Sequence, residues 1–171
     1  MTDDGSAATA TREADLGQPV LEAVEVCLAY AGTYLAWDGK PRLSDGNVWT
    51  PHKALRRVTD HLVDHIAEVQ ALLAGEETIP DSWHGRSVTL AADWAPFTEA
   101  DLNEAHNRLR RLGQTLALLL RQAGPAEWDR SRGANWTLRR IAEHVSTSPG
   151  ITAYVKHLGW LDPETTPPAF P

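Results

Sequence analysis

WTPHKALRRVTDHLVDHIAEVQALL, residues 49–73, places two histidines, His61 and His65, four apart in a segment whose apolar residues keep a helical period. Leu55, Val58, Leu62, Ile66, Val69 and Leu73 form one stripe, and both histidines lean toward its core-facing side. Residues at i and i+4 stand one turn apart on the same face, with Cβ atoms ~5–6 Å apart, so two imidazoles at this spacing can reach one ion. Thr50 reads as the N-cap, Pro51 as the first helical residue and Gly75 as the stop.

A second stretch, WTLRRIAEHV at 136–145, echoes the first: Trp-Thr, then Leu-Arg-Arg, two residues, an acid and a histidine. His144 follows Leu138 by the interval at which His61 follows Leu55, which suggests two similar helix pairs about an approximate two-fold axis. Burying three imidazoles together with no partner leaves polar groups poorly satisfied. His61, His65 and His144 are therefore the expected ligands of one divalent ion, zinc first and nickel or another divalent metal as alternatives, with open positions for water or substrate.

The rest of the chain supplies helices around these two. Residues 1–17, acidic and rich in small side chains, read as a disordered leader ahead of a domain spanning 18–161. From Pro19, Val20, Ala23, Val24, Cys27, Ala31, Tyr34 and Leu35 fall on one helical stripe that ends near Trp37. The run to Val48 reads as a loop. Gly75 to Phe97 is a long connection, expected to cover one end of the domain and to bring Trp83 or Trp94 to the cavity wall. Thr98 to Asp101 forms a capping box, and Leu102 through Leu120 keep a helical period. The fourth helix starts near Thr137 and is interrupted at Ser148-Pro149-Gly150, because proline removes a backbone donor and crowds the preceding turn. Residues 162–171 read as a proline-rich tail. The expected fold is all-α, an antiparallel four-helix bundle with a long loop between the second and third helices.

Composition excludes several classes. A formal charge of −7 without a basic stripe argues against a nucleic-acid surface. The single cysteine, Cys27, permits no internal disulfide and fits a reducing compartment, and its place on an apolar stripe makes it a poor nucleophile. The first residues lack the pattern of a signal peptide, and no run approaches the ~18 apolar residues of a membrane span. A cytoplasmic protein acting on a small molecule is expected. Seven tryptophans fit either one core with a lid or a homodimer.

The two histidine-bearing helices resemble those of the DinB-like metal-binding bundles, the superfamily of mycothiol-dependent maleylpyruvate isomerase and related thiol transferases. The family takes one histidine from its second helix and a His-x-x-x-His pair from its fourth. Here the pair His61/His65 is on the second and the single His144 on the fourth, with Ser148 at the position matching His65. A two-fold exchange of the helices gives the same three ligands. The resemblance implies a metal-dependent transferase, isomerase or hydrolase that activates a thiol or water, with a low-molecular-weight thiol such as mycothiol as cosubstrate.

Around the ligands, Arg57 and Arg140 stand at i−4 of His61 and His144. They either hold a substrate carboxylate at the mouth of the site or extend to the surface and pair with acids. Asp60, Asp64 and Glu143 are candidates for contacts behind the ligands, or solvated helix faces. Tyr34 and Tyr30 either supply a proton to the cavity or pack in the core. Ser148 either faces the cavity or lies on an outer turn. His52 and His106 read as ordinary surface or hydrogen-bonded histidines, while His84 and His157 stay open. Two other functional readings remain: a metal-binding module without turnover, and a bundle whose histidines only make hydrogen bonds. A ferritin-like di-iron site is excluded, since no two helices carry Glu-x-x-His.

Overall fold

In the computed structural model, which describes residues 15–80, 85–147 and 150–169, the chain is predominantly helical with one small two-stranded sheet. The first helix, α1, runs Gly17–Thr33 and continues as a 3-10 turn at Tyr34–Ala36. It begins at the last residue of the expected leader, two positions before Pro19. Leu16 and Gly17 are buried, the Gly17 N–H donates to Asp15, and Asp15 pairs with Arg121 at 2.7 Å. The stripe expected on this helix is buried except for Leu35, which falls on the exposed side of the 3-10 turn.

Residues 42–49 correct the expectation of a plain loop. Arg42–Ser44 (β1) and Asn47–Trp49 (β2) pair antiparallel around Asp45-Gly46. Both turn residues have positive φ, 53° and 70°, which matches the primed two-residue turns whose twist suits a hairpin. The Asp-Gly dipeptide carried that signal. The hairpin buries Trp49, whose indole stacks on His157 at 4.6 Å, while the Ser44 hydroxyl meets His157 Nδ1 at 2.9 Å.

Trp49 leads directly into α2, Pro51–Ala74, where the Thr50 side chain accepts from the Lys53 N–H and Gly75 ends the helix in the left-handed region. Its core face is Leu55, Val58, Leu62, Val69 and Leu72, with Ile66 partly buried beside them; at the last turn Leu72 is buried and Leu73, expected there, is exposed. Along the connection that follows, Asp93 in a 3-10 turn (Ala91–Trp94) is buried against α2 by a two-pronged pair with Arg56, at 2.7 and 3.2 Å. Helix α3, Glu99–Ala123, starts with the Thr98/Asp101 capping box. A short α4, Pro125–Trp128, tucks the Trp128 indole N–H onto the Leu120 carbonyl.

The expected break in the fourth helix is present. Helix α5 covers Leu138–Ser146 and α6 covers Thr152–Leu158. Ser148 and Pro149 themselves lie outside the described residues, but the physical cause is visible on either side. The Val145 carbonyl, which a continuous helix would pair with residue 149, accepts instead from the Ile151 N–H at 3.0 Å. That carbonyl is therefore paired within the backbone. Helix α1 packs on α3, α5 and α6, and α2 packs on α3, α6 and α5, so one core runs between them. Close approach of α1 and α3 depends on small residues: a Cβ at Gly113 would stand 2.8 Å from a Val24 methyl.

Candidate metal centre

Two helices position the three histidines. The 3.6-residue period of α2 stacks His61 over His65, and Leu62 and Val58, fully buried beside them, fix the rotation of that face toward α5 and α6. On α5, Thr137 caps the first turn, and buried Leu138, Ile141 and Val145 press the helix onto the core, turning His144 toward α2. The ring centroids of His61 and His65 are 4.6 Å apart, and those of His144 stand 5.0 and 5.1 Å from them. One ligand nitrogen from each lies within 4.8 Å of the others. Tetrahedral zinc–imidazole bonds of ~2.0–2.1 Å place neighbouring nitrogens about 3.4 Å apart, a difference that small side-chain rotations close.

The electrostatics suit ligands. Burial, then the neighbouring His65, His144 and Arg57, push the His61 pKa down to about 3. Burial first, then His65, also lowers that of His144. Both rings are thus neutral near pH 7, as metal binding requires. His61 Nε2 is buried with no hydrogen-bond partner. A buried imidazole nitrogen without a partner costs free energy unless something binds it, so the donor set fits a divalent cation.

The three rings open on a cavity of about 320 Å³, lined also by Asp64, Glu68 and Trp136, by residues 78–80 of the long connection and by residues 134–135. Trp136 lies nearly parallel to His65 (16° between planes) and edge-on to His144 at 4.9 Å. Glu68 Oε2 meets His65 Nδ1 at 2.7 Å, and the Tyr154 hydroxyl stands 3.4 Å from His61 Nδ1. A larger cavity, about 440 Å³, lies between α2 and α3, but its Arg56, Asp60 and Asp93 are paired with one another and it holds one histidine, His52.

Comparison with protein-family models, with curated proteins and with solved structures finds no match.

The other residues singled out in the sequence fall in different places. Arg57 is buried, paired with Asp60 at 3.1 Å, and lies over the Tyr154 ring. Arg140 is exposed, its guanidinium 4.6 Å from the centroid of the Trp136 ring. Neither lines the cavity. Tyr34 is fully buried away from it, packed edge-on to Phe97 and donating to the Val155 carbonyl at 3.0 Å. Ser148, His84 and Trp83 lie outside the described residues. Trp94 is about half exposed and absent from the cavity lining, because the Arg56–Asp93 pair anchors its turn against the first turns of α2. The connection instead contributes residues 78–80. His52 meets the Pro96 carbonyl, His157 stacks on Trp49, and Cys27 is buried with its thiol pushed up by desolvation.

Three residues of the site escaped the sequence reading. Glu68 had a signal, since i+3 from His65 places it one turn along the same face. Trp136 was noticed as part of an echo, yet its echo partner, Trp49, belongs to the hairpin. For Tyr154 there was no signal, because the interruption between α5 and α6 erases the register that would have aimed it.

Proposed function

We propose that this chain is a divalent-metal-dependent enzyme, a DinB-like four-helix bundle in which α5 and α6 together serve as the fourth helix. His61, His65 and His144 hold one cation, zinc in the first instance, and the centre activates a thiol or a water molecule for transfer, isomerisation or hydrolysis. The observation that carries this reading is the convergence of three imidazoles with the Nε2 of His61 buried and unpartnered. Such a cation would supply a nucleophile at neutral pH, lowering a bound water from about 15.7 to roughly 7.

The chain's own residues prepare the place. Burial keeps His61 and His144 unprotonated, so no proton has to leave them when a cation arrives. Trp136 walls one side and limits water around the rings, and the cavity of about 320 Å³ has room for a small substrate. The arginines have no part in this reading, since the carboxylates Asp64 and Glu68, not guanidinium groups, face the cavity beside the histidines.

The test begins with metal analysis after purification without chelators. One equivalent of a divalent metal is expected, with His144→Ala weakening zinc binding sharply and His52→Ala leaving it unchanged. Metal-dependent consumption of an electrophile in the presence of mycothiol then separates an enzyme from a binding module. Absence of any divalent metal, together with equal zinc affinity in wild type and His144→Ala, would overturn the reading.

A further inference from the structure

The three histidines are not held alike. His65 Nδ1 sits 2.7 Å from Glu68 Oε2, a short contact with a carboxylate oxygen. His61 Nδ1 faces the Tyr154 hydroxyl at a longer 3.4 Å. A carboxylate has no proton to give, so a neutral His65 must carry its single N–H on Nδ1. Its Nε2 is then a bare lone pair. A tyrosine hydroxyl both donates and accepts, so Tyr154 tolerates either tautomer of His61.

We propose that Glu68 is the positioning residue of the centre: it locks His65 in the tautomer that presents Nε2 to the cation, and its carboxylate stands beside the imidazole ligands. This rests on reading the histidine cluster as a divalent-metal site. Glu68 can act on more than one ligand. It lines the same cavity as His144. Its place on α2, one turn beyond His65, also ties the ring to the helix that bears it, so ring and partner move together. Tyr154 arrives from α6, across the helix break, and only steadies His61. The two outer contacts therefore differ in kind. One selects a tautomer, and the other accepts whichever tautomer the metal imposes.

The experiment uses the full chain, labelled with nitrogen-15 and kept metal-free near pH 8. A two-bond proton–nitrogen spectrum reads which ring nitrogen of His65 is protonated. The expected result is Nδ1–H before zinc, with zinc addition shifting Nε2 and leaving Nδ1–H in place. In Glu68→Ala the preference should disappear, and the zinc dissociation constant, measured by competition with a chromophoric chelator, should rise about 10–100-fold. Glu68→Gln, whose amide oxygen still accepts the Nδ1 proton, should recover the tautomer and part of the affinity. Tyr154→Phe should change affinity less than Glu68→Ala. Zinc on Nδ1 of His65, or an unchanged dissociation constant in Glu68→Ala, would refute the role of Glu68 alone. A wild-type chain that takes up no zinc would refute the metal centre itself, whichever tautomer His65 shows.

Discussion

Acidifying the metal-free protein should destabilise it through His61. Burial and its neighbours hold this ring at a pKa of about 3, against an ordinary value of 6.5 when the chain is unfolded. Because the folded value is depressed, the unfolded chain binds the proton first as pH falls. The stability that goes with a neutral His61 is complete above the unfolded value and is lost progressively between about pH 6.5 and 3. With each pKa unit equivalent to 1.36 kcal/mol, the full loss would approach 5 kcal/mol, and about 2 kcal/mol would be gone by pH 5. His144, lowered for the same reasons, acts in the same direction. The assay is urea unfolding in the presence of a chelator, followed by far-ultraviolet circular dichroism near pH 8 and near pH 5. His61→Asn, which cannot titrate, is the comparison. Wild type should lose about 2 kcal/mol more than the variant across that interval, equivalent to about 4–8 °C in Tm for a chain of this length. Equal losses in the two proteins would show that His61 is solvated and free to protonate, and the buried cluster would be refuted.

Other substitutions test the packing. Tyr34→Phe removes a hydrogen bond to Val155, whose carbonyl keeps the Gly159 N–H as a partner; it should cost about 1 kcal/mol in urea unfolding and leave zinc affinity unchanged. Gly113→Ala gains about 1 kcal/mol of helix propensity but crowds Val24, and overpacking costs about 1–3 kcal/mol, so it should destabilise the wild type and stabilise a Val24→Ala background. Loss of the Thr50 cap in Thr50→Ala should cost about 1 kcal/mol by the same measurement, since the Lys53 N–H loses its acceptor. Cys27, buried with its thiol pushed up, should resist a disulfide reagent in the folded protein and react stoichiometrically in denaturant; fast reaction of the folded chain would contradict its burial.

The helices were legible because their causes are local. Thr50 with Pro51, Thr98 with Asp101, Gly75 and the 3.6-residue apolar stripes each act within a few residues, so the text of the chain carries them complete. His61 and His65 belong to the same class, since their proximity follows from one turn of helix. No helix among the described residues is long and apolar enough to cross a membrane, as the absence of an apolar run already indicated. The hairpin at 42–49 was also written locally, in Asp45-Gly46, although flanking strands of three residues each are too short for alternation to stand out. What the chain did alone, then, was to set its helices, their caps and one histidine pair.

Tertiary packing decided the rest. His144 reaches that pair only because α5 lies against α2, and Tyr154 meets His61 across 93 positions of sequence and a broken helix. The arginines one turn before the histidines had two readings, a carboxylate clamp at the cavity or a surface pair with an acid, because a long side chain is free to choose among several directions. Arg57 found Asp60 and the Tyr154 ring, and Arg140 found the ring of Trp136. Tyr34 sat on the same stripe as residues of the core, and a carbonyl of α6 claimed its hydroxyl. Helical periodicity specifies the face from which a side chain departs. Where its far end comes to rest depends on which other elements pack there and which polar groups still need a partner, and that is a property of the assembled fold.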